Sequence, residues 1–208
     1  MPLSYLALGD SYTIGEAVPA EQSFPFQLVE ILRAAGMRIN DPRIIATTGW
    51  TTDELLQGIK AENITIEFDL VTLLIGVNNQ YRGYSKGNYR NEFIELVRTA
   101  LTFAGNKTEC VYVVSIPDWG VTPFAQKGSR NVSRISAEIA AFNKINEEEA
   151  LKAGVSYVDI TPGSKEAAAD LSLLASDGLH PSAKMYAEWA EKLKIEIGRK
   201  EGFLSLSQ

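Results

Sequence analysis

The stretch Asp69-Leu70-Val71-Thr72-Leu73-Leu74-Ile75-Gly76-Val77-Asn78-Asn79 decides the fold. Residues 70–75 are apolar except for Thr72 and rich in branched side chains, then break at a glycine followed by two amides. A strand covered on both faces reads this way, because neither face can alternate with polar residues, so a central strand of a parallel sheet is predicted. Working outward, Leu3–Leu8 is a second short apolar run ending at Gly9-Asp10-Ser11, and Arg43–Ala46, Glu109–Ile116 and Val155–Ile160 complete five predicted strands.

Helical periodicity fills the intervals. Ser23 is placed to cap a helix with Pro25 in its first turn and Phe26, Val29, Leu32 and Ala35 on its apolar face, stopping at Gly36. Thr51 or Thr52 caps a helix reaching Gly58 or Lys60; Phe93, Leu96, Val97, Ala100 and Leu101 mark another that closes at Gly105. Residues 135–153 and 183–197 carry two more, and Gln80–Tyr89 and Pro117–Arg130 are read as long loops. Alternating strands and helices with no repeat or composition shift predict one domain over residues 1–208. Its expected form is a three-layer α/β/α sandwich with a five-stranded parallel sheet of the flavodoxin-like kind.

Composition narrows the function. Of 208 residues, 45% are hydrophobic and 22% charged, a balance that supports a packed core and excludes a disordered or fibrous chain. Twenty basic residues against 26 acidic ones give a net charge of -6 with no basic block, which argues against nucleic acid as a partner. The longest uncharged stretch, 70–81, is too short to span a membrane. The N-terminal Met1-Pro2-Leu3-Ser4-Tyr5 lacks the basic and long apolar regions of a signal peptide, so a cytoplasmic location is expected, with secretion the alternative for a mature form that has lost its signal peptide. A lone cysteine, Cys110, and a lone histidine, His180, exclude an intrachain disulfide and cysteine- or multi-histidine metal cages. Any imidazole base must therefore be His180.

Ligands of such sheets sit beyond the carboxyl ends of the strands. Gly9-Asp10-Ser11, Thr48-Gly49-Trp50 and Gly76-Val77-Asn78 converge there, and Asp177-Gly178-Leu179-His180 precedes the last helix. A spacing of three lets Asp177 reach the imidazole of His180, and Ser11, two residues after a glycine able to bend sharply, is the natural nucleophile. Each motif alone is common, but their order and placement at strand ends are not.

Together these residues resemble the SGNH/GDSL hydrolase family over the whole chain. The family's Gly-Asp-Ser-Leu block is similar to Gly9-Asp10-Ser11-Tyr12, its second-block glycine to Gly49, its Gly-x-Asn-Asp block to Gly76-Val77-Asn78-Asn79 and its Asp-x-x-His block to Asp177–His180. The resemblance implies a catalytic set of Ser11, Asp177 and His180, with Ser11, Gly49 and Asn78 supplying the oxyanion donors. Tyr12 and Asn79 depart from the usual leucine and aspartate. Tyr12, Trp50, Tyr81, Tyr84, Trp119 and Phe124 lie in rim loops where they could wall a substrate pocket, and Asp10 is read as a turn-stabilising carboxylate. The implied activity is a serine esterase of broad ester chemistry, from acetyl groups on carbohydrates to short-chain lipids and lysophospholipids, with no metal and no cofactor; with no lipid-docking helix evident in the sequence, short acyl esters or acetylated carbohydrates are favoured. A flavodoxin-like mononucleotide binder, suggested by Ser11-Tyr12-Thr13-Ile14-Gly15, leaves Asp177 and His180 without a role; a catalytically silent binding domain is the other alternative.

Overall fold

The computed structural model describes residues 1–127 and 131–199. Strands β1 (Tyr5–Gly9), β2 (Arg43–Ala46), β3 (Leu70–Leu74), β4 (Val111–Val114) and β5 (Ser156–Val158) form a five-stranded sheet in the order β2-β1-β3-β4-β5. All four pairings are parallel. The helices are α1 (Ser11–Ile14), α2 (Phe24–Ala34), α3 (Thr52–Ala61), α4 (Val77–Tyr81), α5 (Lys86–Phe103), α6 (Pro123–Lys127), α7 (Val132–Ala153), α8 (Thr161–Ser164) and α9 (Ala183–Gly198).

Burial follows sheet position. Every residue of β1, β3 and β4 is buried, whereas β2 at one edge exposes Arg43 and β5 at the other leaves Tyr157 half-covered. The one polar residue in the central strand, Thr72, shares a 2.9 Å hydrogen bond with the Tyr5 hydroxyl across the β1–β3 pair, so its burial leaves no unpaired oxygen.

Connection direction sets the layers. The crossover from β1 to β2 runs one way along the sheet and those from β2 to β3, β4 and β5 run the other, so right-handed crossovers place their helices on opposite faces. Accordingly α2 packs against the terminal α9, while α5 packs against α3 and α7. The reversal of strand order falls between β1 and β3, where a crevice opens at the carboxyl ends. Register makes that rim level: Gly9 is paired with Ala46 and with Leu74, so the segments leaving β1, β2 and β3 emerge side by side.

Several predicted boundaries shift. Helix α2 starts after Ser23 as expected, but the Ser23 hydroxyl donates to the Ala20 carbonyl instead of capping the helix. Its buried stripe runs through Phe24, Pro25, Leu28, Val29 and Leu32, with Phe26 half-exposed and Ala35 exposed, a rotation of the expected face by about one residue. Helix α3 passes through Gly58 to Ala61, and the Trp50 ring packs on Gly58. Helix α7 starts three residues early, since Asn131 accepts from the Arg134 amide and nucleates a turn ahead of the apolar stripe. Both expected loops carry helix: α4 in 77–81 and the start of α5 replace most of 80–89, and α6 lies inside 117–130, of which 128–130 fall outside the described residues.

At the end of β3, Gly76 adopts φ +128°, and a Cβ there would lie 2.4 Å from the Tyr89 hydroxyl and 2.8 Å from Ile116 Cδ1. Gly76→Ala is expected to cost about 2–4 kcal/mol, combining backbone strain with overpacking. Urea unfolding measures it as a lowered midpoint at constant slope; a loss under about 1 kcal/mol would show that Tyr89 and Ile116 yield freely.

Candidate active site

Ser11 is the first residue of α1, and Asp10 caps that helix by accepting the Tyr12 amide at 3.0 Å. The tight exit from β1 depends on Gly9, though not through an unusual φ, as Gly9 is not among the residues with positive φ. A Cβ at Gly9 would stand 2.0 Å from Thr13 Oγ1 and 2.5 Å from the Leu74 carbonyl oxygen. Glycine is thus required for close approach of α1 and β3, a different reason from the bend expected from the sequence.

On the other side of the crevice the chain turns at Gly178 before α9. Asp177 Oδ1 accepts the amides of Leu179 at 2.9 Å and His180 at 3.0 Å, folding the Asp-x-x-His segment into a side-chain-closed turn. Its second oxygen lies 2.6 Å from His180 Nδ1, and His180 Nε2 lies 3.1 Å from Ser11 Oγ. An ionised carboxylate only accepts, so Nδ1 carries the ring proton and Nε2 presents its lone pair to the serine hydroxyl. Burial pushes the Asp177 carboxyl up, but the His180 ring and the Leu179 and His180 amides outweigh burial and hold it below its ordinary range. The Tyr12 ring meets the imidazole edge-on at a centroid distance of 5.6 Å and restricts its rotation.

The third wall comes from the segments after β2 and β3. Gly49 has φ +87°, and its carbonyl accepts the Arg82 guanidinium at 2.6 Å; the same guanidinium reaches Glu54 at 3.1 Å, and Glu54 in turn accepts the Thr51 amide at 2.9 Å. Asn78 donates one amide hydrogen to the Trp50 carbonyl at 2.9 Å, leaving its second hydrogen beyond that bond. Asn79 is fully buried: its oxygen accepts the Thr52 amide at 3.1 Å, its nitrogen donates to Thr52 Oγ1 at 2.7 Å, and the Thr52 hydroxyl donates to Glu92. An aspartate could only accept at both places, so the amide here releases the threonine proton to a carboxylate on α5.

Ser11, Gly49, Asn78 and His180 open onto one cleft of about 200 Å³. Of the aromatic residues expected on the rim, Tyr12, Tyr81, Trp119 and Phe124 line it. Trp50 and Tyr84 do not, and the Trp50 ring is instead spent covering Gly58. Sequence reasoning passed over the clamp of Arg82 on Gly49, because a long basic residue in a polar loop carries no sign of its partner. It also passed over Gln80, which receives the Trp119 ring N–H at 2.9 Å and donates to Glu138 at 2.7 Å. Among the described residues no helix is long and apolar enough to cross a membrane, and no three His, Cys, Asp or Glu side chains group as metal ligands.

The profile of the GDSL-like Lipase/Acylhydrolase family matches residues 7–188, a span holding every residue of the cleft. The chain belongs to that family. This GDSL-like hydrolase also matches the crystal structure of TesA, with a TM-score of 0.70 and 17% identity over 94% of this chain and 98% of that one. The psychrotrophic esterase EstA from Pseudoalteromonas sp., in a structure inhibited by monoethylphosphonate, gives a TM-score of 0.70 and 17% identity over 94% and 97%. A catalytic mutant of Axe2, an acetylxylan esterase from Geobacillus stearothermophilus, gives a TM-score of 0.70 and 19% identity over 94% of each chain. At such identities the likeness carries the fold. A search of curated proteins returns no match. Family membership makes this chain a carboxylic ester hydrolase of the GDSL type.

Burial next to Ser11 leaves a titration signature. Asp10 is fully buried and its Oδ2 finds no protein partner; desolvation outweighs the backbone amides of Tyr12 and of Asp10 itself and pushes its carboxyl up to about 7. A carboxyl protonated more readily in the folded than in the unfolded chain stabilises the fold least once ionised, so stability should fall as pH rises from about 4 to about 7. Asp10→Asn keeps the acceptor for Tyr12 and removes the charge. Its Tm relative to the parent is expected to rise between pH 5 and pH 8, as differential scanning calorimetry would read; an equal difference at both values would overturn the assignment.

Proposed function

We propose that this hydrolase cleaves esters through an acyl-enzyme on Ser11. The observation that carries the reading is the chain of contacts from Asp177 through His180 to Ser11, at 2.6 and 3.1 Å. His180 Nε2 takes the hydroxyl proton as Ser11 Oγ attacks the ester carbonyl carbon, and Asp177 stabilises the imidazolium that results. The negative charge that develops on the carbonyl oxygen is received by the Ser11 and Gly49 amides and the second Asn78 amide hydrogen. As the C–O bond breaks, His180 returns its proton to the departing alcohol. Water then attacks the acyl-enzyme by the same relay in reverse and frees the acid. Arg82 acts as a positioning residue by holding Gly49 through its carbonyl.

The proposed substrates are short-chain acyl esters or acetylated carbohydrates. A cleft of about 200 Å³ falls below the roughly 300–1,000 Å³ that bury drug-sized ligands, which supports a small acyl group. The acetylxylan esterase among the structural neighbours is consistent with an acetyl group on a sugar. No metal or cofactor takes part in the proposed sequence of steps.

Ser11→Ala and His180→Ala should each lower kcat/KM for p-nitrophenyl acetate by about 10⁴-fold or more, and Asp177→Asn by less, with unchanged circular dichroism. A fluorophosphonate probe should form an adduct at Ser11, found by peptide mass spectrometry, and its rate should collapse in His180→Ala. A Ser11→Ala protein retaining parental turnover would overturn the mechanism. Asn78→Ala should lose about 10²–10³ in kcat with little change in KM, the pattern of a donor that acts only on the developing oxyanion.

A further inference from the structure

We infer that Tyr12 and Trp119 set the acyl-length limit of this enzyme by closing the floor of the active-site cleft; the inference rests on the proposed acyl-enzyme at Ser11. Both residues are buried to 3% exposure, whereas Tyr81 and Phe124 on the same cleft are 42% and 43% exposed. The cleft therefore has a closed floor and an open rim. After the first half-reaction the alcohol must leave while the acyl group remains bonded to Ser11 Oγ. The departing group needs the open side, so the acyl chain occupies the side that ends at Tyr12 and Trp119.

Behind that floor the structure holds a second chamber. It shares Tyr12, Trp119 and Leu179 with the cleft, and its far side is made by Leu174, Pro181 and Met185 with the polar Asp118, Thr122 and Ser164. It has room for about 10 Å³, on the order of one water molecule. Tyr12 and Trp119 border both spaces, and both side chains are held by neighbours. The Trp119 ring is tied to Gln80 at 2.9 Å, Gln80 to Glu138 at 2.7 Å, and the indole lies between the rings of Tyr81 and Phe124 at 5.6 and 6.2 Å. The loop beneath is fixed by Asp118, which accepts the Gly120 amide at 2.9 Å and the Ser136 hydroxyl at 3.0 Å. Tyr12 is held between His180 and Trp189, at ring distances of 5.6 and 6.2 Å. An acyl chain that reaches this floor meets buried rings already held by a hydrogen bond and ring contacts, and a methylene that cannot be accommodated in a pocket discriminates by about tenfold or more.

The test is a series of p-nitrophenyl acetate, butyrate, hexanoate and octanoate with the parent, Trp119→Ala and Tyr12→Leu, alongside acetate esters of ethanol, butanol and hexanol. The parent should show kcat/KM for octanoate at least 100-fold below butyrate. Each variant should raise the octanoate-to-butyrate ratio at least tenfold, and the ratio serves as its own control for any general loss of activity. Tyr12→Leu supplies the answer if Trp119→Ala does not fold. A parent that accepts octanoate as well as butyrate, a ratio unmoved in the folded variants, or a shift along the alcohol series without one along the acyl series would each overturn the inference. Absence of hydrolysis on every ester would instead bring down the Ser11 reading, and this one with it.

Discussion

The packing of the last helix on the first long one governs everything at the site. Ser11 and His180 are 169 positions apart in the chain, and the 3.1 Å between them exists only because α9 lies against α2 on one face of the sheet. The contact is aromatic: Phe24 on α2 meets Tyr186 and Trp189 on α9 at 6.4 and 6.1 Å, and Trp189 reaches Tyr12 at 6.2 Å. Large rings have few rotamers and bury much area, so the cluster fixes the angle at which His180 enters the crevice. The residues that hold the base in place are thus core residues, and disturbing the core at α2 or α9 should be felt at the imidazole.

A second network, polar instead of apolar, holds the opposite wall. Asn79, Thr52 and Glu92 join α4, α3 and α5 by a directed chain of hydrogen bonds, and Arg82 with Glu54 joins the loop after β2 to that after β3. Asn79 is fully buried, and both its amide oxygen and its amide nitrogen are bonded, which offsets the cost of taking this group out of water. With Asn79 in place of the aspartate usual in this block, the Thr52 hydroxyl accepts from Asn79 and donates to Glu92. Each wall of the cleft is thus tied by contacts between separate elements, as the proposed oxyanion donors require if they are to act without reorganising.

What could be read along the chain was what depends on near neighbours. The apolar run 70–75 showed a doubly covered strand, the positions of Gly9, Gly49 and Gly76 showed breaks after strands, and Gly178 showed the turn before the last helix. Helix edges were less legible where a side chain chose a partner other than the expected one, as Ser23 did with Ala20, or where a polar cap such as Asn131 opened a helix before its apolar stripe began. The aromatic residues divided for a similar reason. Tyr12, Tyr81, Trp119 and Phe124 line the cleft, yet Trp50, in the same kind of loop, turned away to cover Gly58, and no local pattern distinguishes a ring that faces solvent from one that faces a helix.

The sequence by itself determined the order of strands and helices, and with it which turns must share the carboxyl rim, because handed crossovers leave a parallel sheet of this order almost no other arrangement. It also limited any imidazole base to His180, the single histidine, which the structure places between Asp177 and Ser11. The tertiary structure alone decided the direction each side chain faces: that Gly9 is needed for contact and not for flexibility, that Arg82 grips Gly49, and that Tyr12 and Trp119 close a floor. Those are matters of distance between segments far apart in the chain, and a linear pattern records periodicity without recording separation.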